Sequence, residues 1–412
     1  MLSIRQSRIV GSRVLIRWAS TALVLMLGLQ ACGSLPRREA VPYNLTEAAT
    51  PLGIPDARFW ADGDLSPMIR DVARGDEREV AALAEAGERT NPLPPAYLLA
   101  ISGGGDDGAF GAGLLVGWST RGTRPDFKLV TGISAGALIA PFAYLGPQYD
   151  DILRAVSTSL GPGGVFRKRN ILLALASDAM YDSTPLSRLI AKYITAELLT
   201  AVAREYGKGR FLLIGTTDLD AGRSVMWNMG AIASSNAPGA LNLFRKIILA
   251  STSIPGEVSP VMIDVDIHGK HFQEMHVDGG VITQVFLYPQ RMFMETRRFT
   301  GTTFSRERHA YVIRNGLLEP RWADTARRTL GIVGRSISEL SQTQGVNDLY
   351  RIYLLAQQDD VDFNVAYIDQ DFRFPHNQEF DTEYMLHLFD YGYDLAAIGA
   401  PWHKDVPSRY LP

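Results

Sequence analysis

From Ala96 onward the chain alternates short apolar runs with helical segments, and glycine turns punctuate the joints. No other feature narrows the fold as much. Tyr97 to Ile101 is a continuous apolar run, as expected of a strand covered on both faces. Gly103 to Gly108 is a glycine loop, and Ala109 to Trp118 reads as a helix. Phe127 to Thr131 reads as a second strand and Ala135 to Leu145 as a second helix. A helix over Thr184 to Glu205, a strand over Phe211 to Gly215, a helix over Leu241 to Ala250 and a strand over Phe272 to Val277 follow. This order predicts a layered α/β fold with its sheet strands parallel.

The segments on either side read as helical additions. Residues 32–95 are expected to form a tether and a small helical piece. Ser66-Pro67 would start the helix, with serine as cap and proline in the first turn. The prolines of Asn91-Pro92-Leu93-Pro94-Pro95 mark the boundary with a core over residues 96–300. Residues 301–412 add a strand at Ala310 to Ile313 and several helices, expected to pack on that core. Leu330, Val333, Ile337 and Leu340 recur at helical spacing, so one face is apolar; such a face either touches lipid or, more often, packs on the domain. Asp381 is placed to cap the last helix, with Phe380 able to staple onto Met385.

Residues 1–31 have the layout of an export signal. Arg5, Arg8, Arg13 and Arg17 precede an apolar run from Trp18 to Leu29, and Leu29-Gln30-Ala31-Cys32 matches the lipobox of bacterial lipoproteins. Cys32 is the chain's one cysteine, so no disulfide forms within the chain. The lipobox resemblance implies cleavage before Cys32 and lipid attachment to it. With Gly33 next, it also implies delivery to the outer membrane of a bacterial envelope. The formal net charge of -3, with no concentrated basic patch, gives nucleic acid nothing to bind.

Three stretches carry chemistry. Gly132-Ile133-Ser134-Ala135-Gly136 is a G-x-S-x-G turn between a predicted strand and a predicted helix. That context lifts a serine hydroxyl onto a helix N-terminus and aims the Ala135 amide at any oxyanion formed there. Ser102 to Gly108 also joins strand to helix, and the bare amides of Gly103, Gly104 and Gly105 could serve as oxyanion donors. Gly103, Gly105 and Gly108 also satisfy the dinucleotide pattern G-x-G-x-x-G. Asp106 and Asp107 would set carboxylates beside a pyrophosphate, however, and the next strand ends in the serine turn rather than in an acid for a ribose. Val277-Asp278-Gly279-Gly280 ends a predicted strand with a carboxylate.

In this order, the three stretches resemble the patatin-like phospholipase family from about Tyr97 to Pro289. Supporting matches are Asp182-Ser183-Thr184-Pro185-Leu186, Thr217-Asp218-Leu219 with Gly222-Arg223, and Ala250 to Pro255. The resemblance implies a three-layer α/β/α fold and a dyad of Ser134 and Asp278 working without histidine, metal or cofactor. The implied substrate is a lipid acyl ester, with membrane phospholipid the leading candidate. The chain departs from the family at Asp107, where many members have a basic residue. Either Asp106 and Asp107 point away from the oxyanion, or the site is altered.

Two other readings stand beside this one. A histidine-dependent α/β-hydrolase would recruit one of His309, His376, His387 or His403, all downstream of Asp278. A non-catalytic envelope lipoprotein would keep the fold without the reaction. His268, His271 and His276 have no metal-ligand spacing. Oligomeric state is not written in the sequence.

Overall fold

The structure, a computed structural model, describes residues 35–158, 161, 164–168, 177–292, 306–399 and 401–407. The expected export signal and Cys32 lie outside the described residues. In chain order the elements are β1 (Arg58–Trp60), α1 (Ser66–Glu85), β2 (Ala96–Ile101), α2 (Gly108–Thr120), β3 (Leu129–Gly132), α3 (Ala135–Leu145) and α4 (Asp150–Thr158). There follow β4 (Arg167–Lys168), β5 (Tyr181–Asp182), α5 (Thr184–Tyr193), α6 (Ala196–Gly207), β6 (Phe211–Asp218), β7 (Arg223–Asn228), α7 (Met229–Ser234) and α8 (Ala240–Ser251). The last are β8 (Val261–Ile267), β9 (Lys270–Asp278), β10 (Arg308–Arg314), α9 (Thr329–Gln358), β11 (Asp362–Tyr367) and α10 (Thr382–Ile398).

The main sheet runs β1-β7-β6-β3-β2-β10-β11, with β9 paired to both β6 and β8. Alternate residues of β2 leave on opposite faces. Leu99 and Ile101 join a core with α2, α3, α8 and α10, while Leu98 and Ala100 join a second core with α1 and α9. Both faces of the sheet are therefore covered, which makes the expected three layers and explains the unbroken apolar run.

Several expectations change. The segment from 301 onward does more than pack on the core. β10 inserts beside β2 and β11 follows it, both parallel, so the sheet itself is completed from the C-terminal end. The expected helix over Thr184 to Glu205 is two helices, because the Thr195 hydroxyl accepts from the Leu198 amide at 3.3 Å and starts a new one. Ser66 does not cap α1; the Asp64 carboxylate accepts from the Ser66 amide at 2.9 Å instead. Asp381 does cap α10, accepting from Glu383 and Tyr384. The stripe on α9 faces outward, with Val333, Ile337 and Leu340 at 49%, 46% and 70% exposure. Among the described residues no helix is long and apolar enough to cross a membrane.

The sheet is also not wholly parallel where it matters most. β7 lies on one side of β6, and β3 and β9 share the other. β3 pairs in parallel up to Gly132 opposite Ile214. β9 pairs antiparallel and ends with Asp278 opposite Thr216. The two C-termini thus meet head to head along one edge of β6, with only Gly215 between their last partners.

Candidate active site

The head-to-head junction sets Ser134 against Asp278. Ser134 follows β3 and begins α3 with φ 55° and ψ −121°, a left-handed conformation that a non-glycine residue adopts only under constraint. The constraint is visible around it. A Cβ on Gly132 would lie 2.4 Å from the Gly136 carbonyl oxygen, and one on Gly136 would lie 2.3 Å from that of Ile101. Only glycine lets the turn fold this tightly onto β2. The Ser134 amide donates to the Ser251 hydroxyl at 3.0 Å, and that hydroxyl donates to the Gly215 carbonyl at 2.7 Å.

Asp278 is 5% exposed at the end of β9. Its amide donates to the Ser253 carbonyl at 2.9 Å, and its carboxylate accepts from the Gly280 amide at 2.7 Å. Burial pushes its carboxyl up to about 7, against the opposing pull of hydrogen bonds from Ser134 and the Gly280 amide, while nearby Glu257 raises it further. A carboxylate at that value is poised to accept a proton near neutrality. No histidine is among the partners of Ser134 or Asp278 in the described residues.

The glycine loop stands across from this pair. The Gly103 amide donates to the Gln284 carbonyl at 3.0 Å, so it is already committed and leaves the set of expected oxyanion donors. Gly104, Gly105 and Ala135 remain, with no backbone acceptor on their amides. Ala135 is the first residue of α3, where the helix presents free N–H groups and the positive end of its dipole. Asn315, after β10, holds the loop in place: its amide donates to the Ser102 hydroxyl at 2.8 Å and its side-chain nitrogen to the Ser102 carbonyl at 2.9 Å. The Gly111 amide in turn donates to the Asn315 side-chain oxygen at 3.0 Å.

Asp106 and Asp107 point away from the serine, toward the C-terminal segment. His376 Nε2 lies 2.7 Å from the Asp106 carboxylate, which also accepts from the Phe380 amide at 2.8 Å. That carboxylate holds the His376 imidazole above its ordinary pKa. Asp107 accepts from the Tyr384 hydroxyl and pairs with Arg321 at 3.2 Å. The departure at Asp107 therefore sets no carboxylate against the oxyanion. A cleft with apolar walls opens over Ser134 and Gly105, lined by Leu138, Ile139, Leu186, Ile254, Phe380 and Met385.

Sequence reasoning had the Ala250 to Pro255 stretch only as a family match, and it missed Gln284 and Asn315. Ser251 and Ser253 turn out to hold the backbones of Ser134 and Asp278 respectively. Nothing local in the sequence marks Asn315; its role appears only once β10 is known to lie beside β2.

The buried group Asp218, Glu274 and His276 has the composition of a metal site. Its cation is already present. Arg58 pairs with Glu274 through both terminal nitrogens, and Trp227 and Thr216 complete a hydrogen-bond chain to His276. The Trp227 indole donates to the Thr216 hydroxyl at 2.7 Å, and that hydroxyl lies 3.0 Å from His276 Nδ1. His276 Nε2 lies 3.2 Å from the Glu274 carboxylate, so both ring nitrogens already have polar partners within the protein.

Residues 99–288 match the family model of patatin-like phospholipases. By that match this stretch is similar to patatin-like domains. Among solved structures, VipD from Legionella pneumophila aligns at 12% identity and TM-score 0.31, over 73% of this chain and 66% of that one. The chain thus spans just under two thirds of the length of that relative. No curated protein matches it. The glycine loop, Ser134, Ser251 and Asp278 all fall within the matched stretch, whereas Asn315, Arg321, His376 and Tyr384 come from beyond it.

Proposed function

We propose that the protein is a serine acyl hydrolase that cleaves ester bonds of lipids through an acyl-enzyme on Ser134. The observation that carries this reading is the pairing of a serine held at φ 55° with a buried aspartate whose carboxyl is raised to about 7. Asp278 takes the Ser134 proton as the hydroxyl oxygen attacks the ester carbonyl. The negative charge that develops on the carbonyl oxygen is met by the amides of Gly104, Gly105 and Ala135. Collapse breaks the ester C–O bond, and the departing alcohol receives the proton from Asp278. Water then repeats the sequence on the acyl-enzyme, with Asp278 again as base, and frees the acid. The apolar cleft suits the hydrocarbon of an acyl chain, and the family match supports lipid as the substrate class. Phospholipid is the proposed lipid.

The lipobox supports a further part of the proposal, that lipid on Cys32 holds the enzyme at the bacterial outer membrane. A Cys32→Ser chain recovered in the same membrane fraction as wild type would remove that part.

Purified protein should release fatty acid from phospholipid, and a fluorophosphonate should label Ser134. Ser134→Ala and Asp278→Asn should each cut turnover by about a thousandfold or more, and the double variant should be little worse, as for groups acting on one step. Asp278→Asn with most of its activity left, alongside one inactive histidine variant, would replace the dyad with a histidine triad.

A further inference from the structure

Beside the glycine loop lies a polar cavity of about 250 Å³. Gly104, Asp107, Arg314, Arg321, Arg335 and Gln342 are among the residues that wall it. Arg314 is the last residue of β10, beside the end of β2 that leads into the loop. It is 4% exposed, yet among the described residues its guanidinium has one hydrogen bond, from Nη2 to the Gln342 side-chain oxygen at 3.1 Å. Its Nε has no acceptor. Burial lowers its pKa to about 10, while the charges of Asp107 and Asp348 act to raise it.

Both of those acids are already engaged. Asp107 holds Arg321 and the Tyr384 hydroxyl, and Asp348 holds Arg351 and the Gln284 amide. A buried guanidinium with no carboxylate against it is costly, and an anion seated on it would remove the cost. The slot for this side chain is also built in. A Cβ on Gly345 would lie 2.6 Å from the Arg314 guanidinium carbon, and one on Gly316 would lie 3.3 Å from it. Asp107 and Glu339 are the acids on the cavity wall, against three arginines, and Glu339 is paired with Arg335 at 2.6 Å. One positive charge is left over.

We propose that this cavity is a phosphate-binding subsite built on Arg314, Arg321 and Arg335. Planar guanidinium forks match phosphate oxygens two at a time, and converging arginines are the usual means of holding that group. Gly104 walls this cavity and Gly105 walls the Ser134 cleft. Consecutive Cα atoms stand about 3.8 Å apart, so one loop separates the two spaces. A phospholipid, whose phosphate and acyl ester are joined by a short glycerol unit, could reach both; a free phosphate group could occupy the subsite alone. The lipid source rests on the acyl hydrolase reading, whereas the subsite itself does not.

The test uses the full chain as wild type, Arg314→Gln and Arg335→Gln, the latter a partly exposed position that keeps the experiment informative if the buried variant does not fold. Inorganic phosphate is titrated at constant ionic strength and the melting temperature followed. Phosphate should raise it in wild type, less in Arg335→Gln and not at all in Arg314→Gln. In a second arm, kcat/KM is measured on phosphatidylcholine and on the diacylglycerol with the same acyl chains, in mixed micelles. A lipid source predicts that the phospholipid-to-diacylglycerol ratio falls about tenfold or more in the variants, the loss expected for one charge-assisted contact. Phosphate binding with an unchanged ratio would assign the subsite to a free phosphate. No phosphate effect on wild type together with an unchanged ratio would overturn the proposal. If wild type cleaves neither lipid, the acyl hydrolase reading fails and the phosphate titration still decides the subsite.

Discussion

The backbone amide of Ser134 and the hydroxyl of Ser251 are joined at 3.0 Å, and through that hydroxyl the serine turn is tied to the Gly215 carbonyl on β6. Ser251 is fully buried, so no water stands ready to replace it. Ser251→Ala would strand one buried donor and one buried acceptor, at a cost of about 1–3 kcal/mol each at most. The strained turn would lose the bond that holds its amide. The expected result is a lower melting temperature with a fall in kcat of about tenfold or more and little change in KM. Equal fluorophosphonate labelling rates for Ser251→Ala and wild type would show that this tie does not position the nucleophile.

Asp278 predicts how both activity and stability depend on pH. The free enzyme needs the carboxylate, so kcat/KM should rise with pH through a midpoint of about 7. Stability should move the opposite way. The folded-state pKa lies above the unfolded one, so the folded state holds the proton more tightly. Stability from this group is complete below the unfolded value near 3.8 and is lost as pH rises to about 7. The difference amounts to roughly 4 kcal/mol at about 1.4 kcal/mol per pKa unit. Asp278→Asn removes the buried charge and keeps an acceptor for the Gly280 amide. It should melt higher than wild type at pH 8 and no higher at pH 4. An unchanged difference between those two conditions would mean that Asp278 is not held in a desolvated site.

Much of this site was legible because its rules are local. Gly132 and Gly136 are required by contacts that any G-x-S-x-G turn between strand and helix makes, and the order of the three motifs carried the family. What was not legible depends on partners distant in sequence. The Gly103 amide looks as free as its neighbours until Gln284 is placed against it. Asp106 and Asp107 read as a threat to the oxyanion until His376, Tyr384 and Arg321 come round from the C-terminal segment to take them. Strand direction failed for a similar reason. An apolar run such as Phe272 to Val277 has the same pattern whichever way it runs, and β8 turns it back antiparallel against β6.

The outward stripe of α9 gives a test where pattern and structure disagree. A face laid on a core would make Val333→Ser with Leu340→Ser cost several kcal/mol through lost burial. At 49% and 70% exposure the double substitution should stay within about 1 kcal/mol, the range of surface changes at two sites. Urea denaturation of the full chain measures it. A loss of several kcal/mol would show that this face is covered in solution.

Gly104 and Gly105 differ in what a side chain would meet, and this separates conformational strain from collision. Gly105 has φ +59° and open space around a built Cβ. Gly105→Ala should therefore cost about 1–2 kcal/mol, the penalty of a left-handed alanine, with the loop left in place. Gly104 has the Asn315 carbonyl oxygen 2.2 Å from the same point, and that is backbone held by Ser102. Gly104→Ala must displace the loop or Asn315. Displacement carries the amides of Gly104 and Gly105 away from the Ser134 oxygen, and removal of such donors lowers kcat by about a hundredfold. Gly105→Ala should keep most of its turnover by the same reasoning. The measurement is kcat for both variants on one soluble ester, with folding checked by circular dichroism. A folded Gly104→Ala with wild-type kcat would move the oxyanion site off this loop and leave it to the Ala135 amide and other donors.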